Sequence, residues 1–416
     1  MRKYAIQKVS DKNKPKIYLM LSKFNFLMNK IYLFTAAFAV MASLSGCSDT
    51  ELASIDTAQE KTPIGFHTVG SQMGSRANII DNGNITKTDF KVYAFTNDGT
   101  AFMGNNDTGE NAYDHNGVLI KYDESSNTWK YANAADLRYW PEDTPLDFYA
   151  VNPGSVAEEE LKGYYNWKIS KETQQITYSS FDEYKANTAH KNIDVMYAIA
   201  KNQTKDPNNG KVKFNFKHIL SQIVFQAKTQ YEGMQVDIKD IKIYNCKPSG
   251  TFTFPTTESP AQNNWQSADN LKGPIPFTVV KDQTITVKSA VKPTDISSDT
   301  PLLLVPQELN KPWDTKTTPK AKAQADKDFE SYLEINCRIQ QNGVYVFGKE
   351  GYTTLWVPFS ASWEPGKRYV YTLIFGGGYT EEGQTILTPI NFDAKVDNWK
   401  EDDDNNTTGN DVNIQQ

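Results

Sequence analysis

The run Val212-Lys-Phe214-Asn-Phe216-Lys-His218-Ile-Leu220-Ser-Gln-Ile223-Val-Phe225-Gln-Ala227 decides the fold class. Its first half alternates apolar and polar side chains, the two-residue period of a strand with one face on a core. Its second half turns continuously apolar, as a strand covered on both faces does.

Downstream, strand-like runs continue: Ile238 to Tyr244, Gly250-Thr-Phe252-Thr-Phe254, Phe277 to Val280, Thr284-Ile-Thr-Val-Lys288, Leu302 to Val305, Tyr332 to Gln340, Tyr345-Val-Phe347 and Tyr369 to Phe375. Upstream lie Pro63 to Val69, Phe90-Lys-Val92-Tyr-Ala94-Phe95 with a turn at Asn97-Asp98-Gly99, Trp129-Lys-Tyr131, Arg138-Tyr-Trp140-Pro141, Leu146 to Val151 and Val195 to Ala200. Only Ser180 to Ala189 reads as a short helix or long loop. With 12% aromatic residues, 22 of them Tyr and 21 Phe, the composition suits an all-β exported protein.

The segment Asn202-Gln-Thr-Lys-Asp-Pro-Asn-Asn-Gly210 is polar and rich in turn residues, and is read as the joint between two β-sandwiches in tandem. The roughly 370 residues after Cys47 are ample for two domains. The expected division is 1–46 as upstream extension and signal, 47–76 as tether and first strand, 77–210 and 211–399 as the two sandwiches, and 400–416 as a polar acidic tail.

Ahead of the strands stands Met28-Asn-Lys, an apolar run from Ile31 to Ser43, and Leu44-Ser45-Gly46-Cys47. A basic start, a short apolar stretch and small residues before a cysteine form a secretory signal ending in a lipobox. Cys47 is thereby expected to carry lipid, placing the protein in a bacterial envelope, reached through the export machinery. Met28 reads as the start, with residues 1–27 an extension without a folding role. After a polar tether at 48–60 and the strand at Pro63 to Val69 comes Gly70-Ser-Gln-Met-Gly-Ser-Arg76-Ala77, a Gly-rich break open to a protease.

Chemistry is sparse. The net charge is −6 with no basic block, which argues against nucleic acid as a partner. His67, His115, His190 and His218 are far apart, and His218, inside a strand, reads as a packed residue rather than a catalyst. No nucleophile elbow, phosphate loop or dinucleotide fingerprint is present, so neither an enzyme nor a cofactor is expected. The run Glu401 to Asp404 lacks the glycine and glutamate of a calcium loop, and no metal site is expected. Cys246 and Cys337 lie in strand-like runs, as small buried residues or as one disulfide. Asn84-Ile-Thr86, Asn106-Asp-Thr108 and Asn202-Gln-Thr204 are more simply turn residues than glycosylation sites.

Several of these stretches, in order, resemble one family. Cys47 with its signal, Ile64-Gly-Phe66, Arg76-Ala77 and Phe90 to Phe95 are similar to the opening of the Bacteroidales fimbrillins, the type V pilins. Tyr139-Trp140-Pro141 with Asp147-Phe148-Tyr149-Ala150, then Phe216-Lys-His218-Ile-Leu220-Ser221, Leu303-Leu304-Val305-Pro306-Gln307, Trp363-Glu-Pro365-Gly366-Lys-Arg-Tyr369-Val-Tyr371 and Val396-Asp-Asn-Trp399 resemble its later motifs.

The resemblance implies two transthyretin-like β-sandwich domains in a lipoprotein held at the outer membrane and cell surface through the lipid on Cys47, and contributing to adhesion. It further implies a cut after Arg76 that leaves Ala77 as the new N-terminus, and a groove filled by a C-terminal strand of another fimbrial subunit. Thr385 to Trp399 reads as either the last strand of the sandwich or part of that donor. The charged tail beyond it suits an apolar groove poorly, leaving stalk, anchor, tip and accessory roles open. The alternative is a surface glycan-binding lipoprotein using Trp129, Tyr131, Trp265 or Trp313 to stack on sugar rings.

Overall fold

The computed structural model describes residues 62–69, 80, 84–104, 117–155, 163–170, 172–181, 191–206, 209–256, 264–267, 276–281, 283–297, 299, 301–315, 330–379, 385–387 and 391–398. The chain is all-β, as expected. Among the described residues the helical elements are two single turns, Ile85–Lys87 and Ala134–Asp136.

A seven-stranded antiparallel sheet organises the first half. Its order is Lys217–His218, Met196–Gln203, Leu146–Asn152, Asp89–Thr96, Val118–Asp123 and Thr128–Tyr131, with Ala101–Met103 also on Asp89–Thr96. Both of its faces are covered. Phe90, Val92, Ala94, Phe148, Ala150, Met196 and Ala198 enter one core. Tyr93, Phe95, Tyr149, Val151, Tyr197 and Ile199 enter another. Two-sided burial is why these strands read as unbroken apolar runs.

Each face has its own cover. The strand Gly65–Val69 pairs with Lys211–Asn215 in a two-stranded ribbon over the first core. A four-stranded sheet of Tyr165–Ile169, Gln174–Ser179, Ser249–Thr253 and Trp265–Ser267 covers the second.

The second sandwich is built around Ser221–Thr229, which runs parallel to Lys367–Phe375 and antiparallel to Thr294–Asp295 and Leu302–Leu304. Asn391–Asn398 closes that sheet on the far edge of Lys367–Phe375, so in this structure the C-terminal run is the last strand of the sandwich. Opposite stands an eight-stranded sheet centred on Met234–Tyr244, Tyr332–Gln341 and Thr353–Pro358. Ile223, Phe225, Ile238, Ile241, Ile335, Leu373 and Phe375 fill the space between. Cys246 and Cys337 are both buried in this core as free thiols, not a disulfide.

The expected joint at 202–210 does not separate the cores. Asn202, Asn209 and Gly210 have φ of 52°, 50° and 75°, the Gly210 N–H donates to Lys205 O at 2.8 Å, and Lys211–Asn215 lies beside Gly65–Val69 of the first half. Val212, Phe214 and Phe216 consequently pack in the first core. Further on, Ser249–Thr253 pairs with Gln174–Ser179, so strands from both sides of position 210 share one sheet.

Candidate functional site

The strand Gly65–Val69 is seated over the first core. Its alternation is simple: Ile64 and Phe66 point inward, 1% and 5% exposed, while His67 faces solvent. The strand lies parallel to Lys211–Asn215, with Phe66 opposite Val212 and Thr68 opposite Phe214.

Aromatic rings make the floor. Phe66 stacks on Phe214 at 5.9 Å with an interplanar angle of 8°, meets Phe90 edge-on at 6.1 Å, and touches Tyr131 at 5.7 Å. Such ring pairs add about 0.5–1.5 kcal/mol to what burial alone provides. The Tyr131 hydroxyl donates to the Ile64 carbonyl at 3.0 Å, and burial pushes its pKa up to about 12.

A backbone clamp grips the strand at its start. The Ile64 N–H donates to Arg138 O at 2.9 Å, the Trp140 N–H to Thr62 O at 3.0 Å, and the Gly65 N–H to Gly210 O at 2.9 Å. Pro63 and Tyr139 form an isolated bridge. The Trp140 indole N–H reaches the same Gly210 carbonyl at 2.8 Å, tying the Arg138–Trp140 wall to the Lys211–Asn215 wall. Gly210 is required here. Its φ is +75°, and a Cβ would come within 2.7 Å of Thr62 Cγ2 and 3.2 Å of Pro63 O. Beyond the clamp, the ladder of the first strand among the described residues is with Lys211–Asn215.

A family model described as fimbrillin-like matches residues 75–399. This chain belongs to the fimbrillin-like family.

Two solved structures show what this fimbrillin-like chain is similar to. One is a fimbrial protein from Bacteroides vulgatus, 17% identical, covering 81% of this chain and 99% of that one with a TM-score of 0.48. The other is the fimbrial anchor protein Mfa2 from Porphyromonas gingivalis, 9% identical, covering 82% and 99% with a TM-score of 0.30. No curated protein matches the sequence.

Cys47, Arg76 and Ala77 lie outside the described residues of this fimbrillin-like chain. The nearest described residue after Ala77 is Ile80, buried in the first core, whose N–H donates to Asp194 Oδ2 at 2.7 Å. The other oxygen of Asp194 lies 2.8 Å from His218 Nδ1, so His218 is a packed partner inside the fold. Trp313 is buried against Tyr332, and Trp265 donates its indole N–H to Ile219 O at 2.7 Å. Trp129 packs on Phe90 at 4.8 Å. Trp313 is buried, while Trp129 and Trp265 are half-buried against their cores. The clamp formed by Arg138–Trp140 and Gly210 was not read from sequence as part of the site. The motif Tyr139-Trp140-Pro141 was its only local signal.

Proposed function

We propose that this protein is a subunit of a surface fimbrium, exported as a lipoprotein on Cys47, in which Gly65–Val69 is a removable strand replaced by a strand of a neighbouring subunit. The observation that carries this reading is the seat itself. It is a two-sided backbone slot over an aromatic floor, filled by a strand with one ladder partner and two apolar anchors.

Magnitudes favour replacement. Burying Ile64 and Phe66 contributes about 1.5–3 kcal/mol each, and each net backbone bond about 0.5–1.5 kcal/mol. While the chain is continuous, that suffices to hold the strand. After a cut downstream, the segment becomes a separate ligand that must also offset at least about 4 kcal/mol of association cost. At 1.4 kcal/mol per factor of ten, that cost weakens the hold by roughly a thousandfold, which lets a competing strand displace the segment. The emptied slot exposes unpaired backbone of Lys211–Asn215 and the rings of Phe214 and Phe90, which rewards strand addition.

The sequence holds a matching donor. Ile390-Asn391-Phe392 repeats the Ile-x-Phe spacing of Ile64-Gly65-Phe66, and Ala394 and Val396 continue the same alternation. In a single copy this strand rests on the edge of Lys367–Phe375.

The test treats the purified full chain with a trypsin-like protease, identifies the new N-terminus, and adds a synthetic peptide of residues 385–398. The expected result is a new N-terminus at Ala77, loss of the preceding segment, and peptide uptake by the shortened chain alone. Retention of the first strand after cleavage, or equal peptide binding by cut and uncut chains, overturns strand replacement.

A further inference from the structure

Asp194 is a carboxylate inside the fold, its side chain 1% exposed. It precedes Met196–Gln203 in a run whose side chains alternate: Ile193 and Val195 enter the second core, while Met196 enters the first. That alternation turns Asp194 toward the first core. His218, its side chain also buried, stands on the edge strand Lys217–His218 directly opposite Met196, between Phe216 of the first core and Ile219 of the second.

The donors that hold this carboxylate come from distant parts of the chain. The Ile80 N–H donates to Oδ2 at 2.7 Å, and Oδ1 lies 2.8 Å from His218 Nδ1. A carboxylate only accepts, so the ring presents its Nδ1–H there, and the other oxygen is turned to Ile80. A buried charge stripped of a partner is penalised more heavily than the lost bond itself. Departure of Ile80 therefore takes a donor from a desolvated carboxylate, besides uncovering an isoleucine packed in the first core.

Ile80 follows Arg76-Ala77 by three residues, so the two sides of that position are held in different ways. Upstream, the first strand rests on two apolar anchors and on neutral main-chain bonds to Arg138, Gly210 and Lys211–Asn215. Downstream, the chain is held by a charge-assisted bond, roughly twice as strong as a neutral one, and again by Ile85, buried in the same core. The next basic residue after Arg76 is Lys87, exposed at the end of the turn Ile85–Lys87. A protease needs several residues of open chain around its target, and the seats of Ile80 and Ile85 deny it that length.

We propose that Asp194, turned by His218, is the pin that keeps the chain after Arg76 seated in the first core while the strand before it leaves, and that it confines trypsin-like processing to Arg76 by holding Lys87 closed. Asp194 acts on Ile80 directly; His218 is a positioning residue that acts through Asp194. The pin joins three parts of the fold: the retained N-terminal segment, the sheet edge ahead of Met196–Gln203, and the crossing at Ile219 and Leu220 into Ser221–Thr229. The proposal rests on the removable-strand reading, but its first readout is taken on the uncut chain and does not depend on it.

Full-length Asp194→Ala, Asp194→Asn, His218→Leu and His218→Asn chains are compared with the parent. In uncut chains, hydrogen exchange at the Ile80 amide, isolated by fragmentation in the mass spectrometer, should accelerate about 10- to 100-fold in Asp194→Ala while Lys367–Phe375 holds. Brief digestion with a trypsin-like protease should leave Ala77 as the parent's new N-terminus and add Thr88 in Asp194→Ala. His218→Leu should shift both readouts the same way, and His218→Asn, whose amide can donate from the Nδ1 position, should restore them. Should Asp194→Ala loosen Lys367–Phe375 as well, Asp194→Asn, which keeps the shape without the charge, takes its place with a severalfold acceleration expected. Unchanged Ile80 exchange in the folded Asp194 variants overturns the pin, as does a Thr88 terminus released equally from the parent. Arg76 resisting the protease while Ile80 exchange quickens in Asp194→Ala counts against strand removal and leaves the pin standing.

Discussion

Replacing Phe66 with Ala tests whether the first strand is a separable unit. Phe66 is 5% exposed and contacts Phe214, Phe90 and Tyr131. Truncation of such a ring typically costs about 3–5 kcal/mol. Had the strand been woven into the central sheet, that loss would weaken the whole molecule evenly. Among the described residues, however, its ladder is with Lys211–Asn215, outside the central sheet, so the loss falls first on local opening. At 1.4 kcal/mol per factor of ten, amide exchange in 64–69 and 211–215 is expected to accelerate by about two to three and a half powers of ten, unless it first reaches the unprotected rate. Hydrogen exchange read by mass spectrometry measures this directly, with Lys367–Phe375 in the second core as internal reference. Unchanged exchange in 64–69 refutes Phe66 as the anchor. Equal acceleration in 367–375 refutes the separable strand.

Gly210→Val is expected to loosen the same seat, since positive φ disfavours a β-branched residue and the new Cβ meets Thr62 and Pro63; a melting temperature equal to the parent contradicts this. Tyr131 is a reporter of occupancy: its raised pKa means its stabilising contribution is complete below pH 10 and is lost as pH climbs toward 12. Removing the first strand should bring that phenol back toward about 10, read at 295 nm as the difference from a Tyr131→Phe chain. Burial raises both Cys246 and Cys337 thiols, so their contribution is present at neutral pH and declines once pH exceeds about 8.5. Neither should react with a thiol reagent at pH 8 until denaturant is added. Cys47→Ala should release the protein from membranes, and unchanged detergent-phase partitioning contradicts lipidation there.

Local patterning carried the all-β class because these strands announce themselves in one of two ways. Lys211–Asn215 alternates because one face is covered, while Ala94, Ala150 and Ala198 sit in unbroken apolar runs because their sheet is covered on both sides. The inward-facing pair Ile64 and Phe66 was legible for the same reason. The pairing of that strand was not. A parallel neighbour far along the chain leaves no trace in periodicity, and a polar stretch such as Asn202 to Gly210 has the same composition whether it links domains or reverses a strand. In the structure Lys211–Asn215, just after it, lies beside Gly65–Val69 of the first half. The four-stranded sheet shared by Gln174–Ser179 and Ser249–Thr253 was hidden likewise, because each strand alone fits either half.

The parallel ribbon of Gly65–Val69 and Lys211–Asn215 also bears on timing. Its two members lie roughly 150 residues apart, and non-local pairing of that kind forms late, after the intervening loop has closed. A chain emerging N-terminus first offers its early strand to the surroundings long before the partner arrives. During that interval the first strand stands without its partner, and the seat closes only when about half of the polypeptide has followed. The same parallel pairing that ties this strand to Lys211–Asn215 thus leaves it unseated until long after its own synthesis.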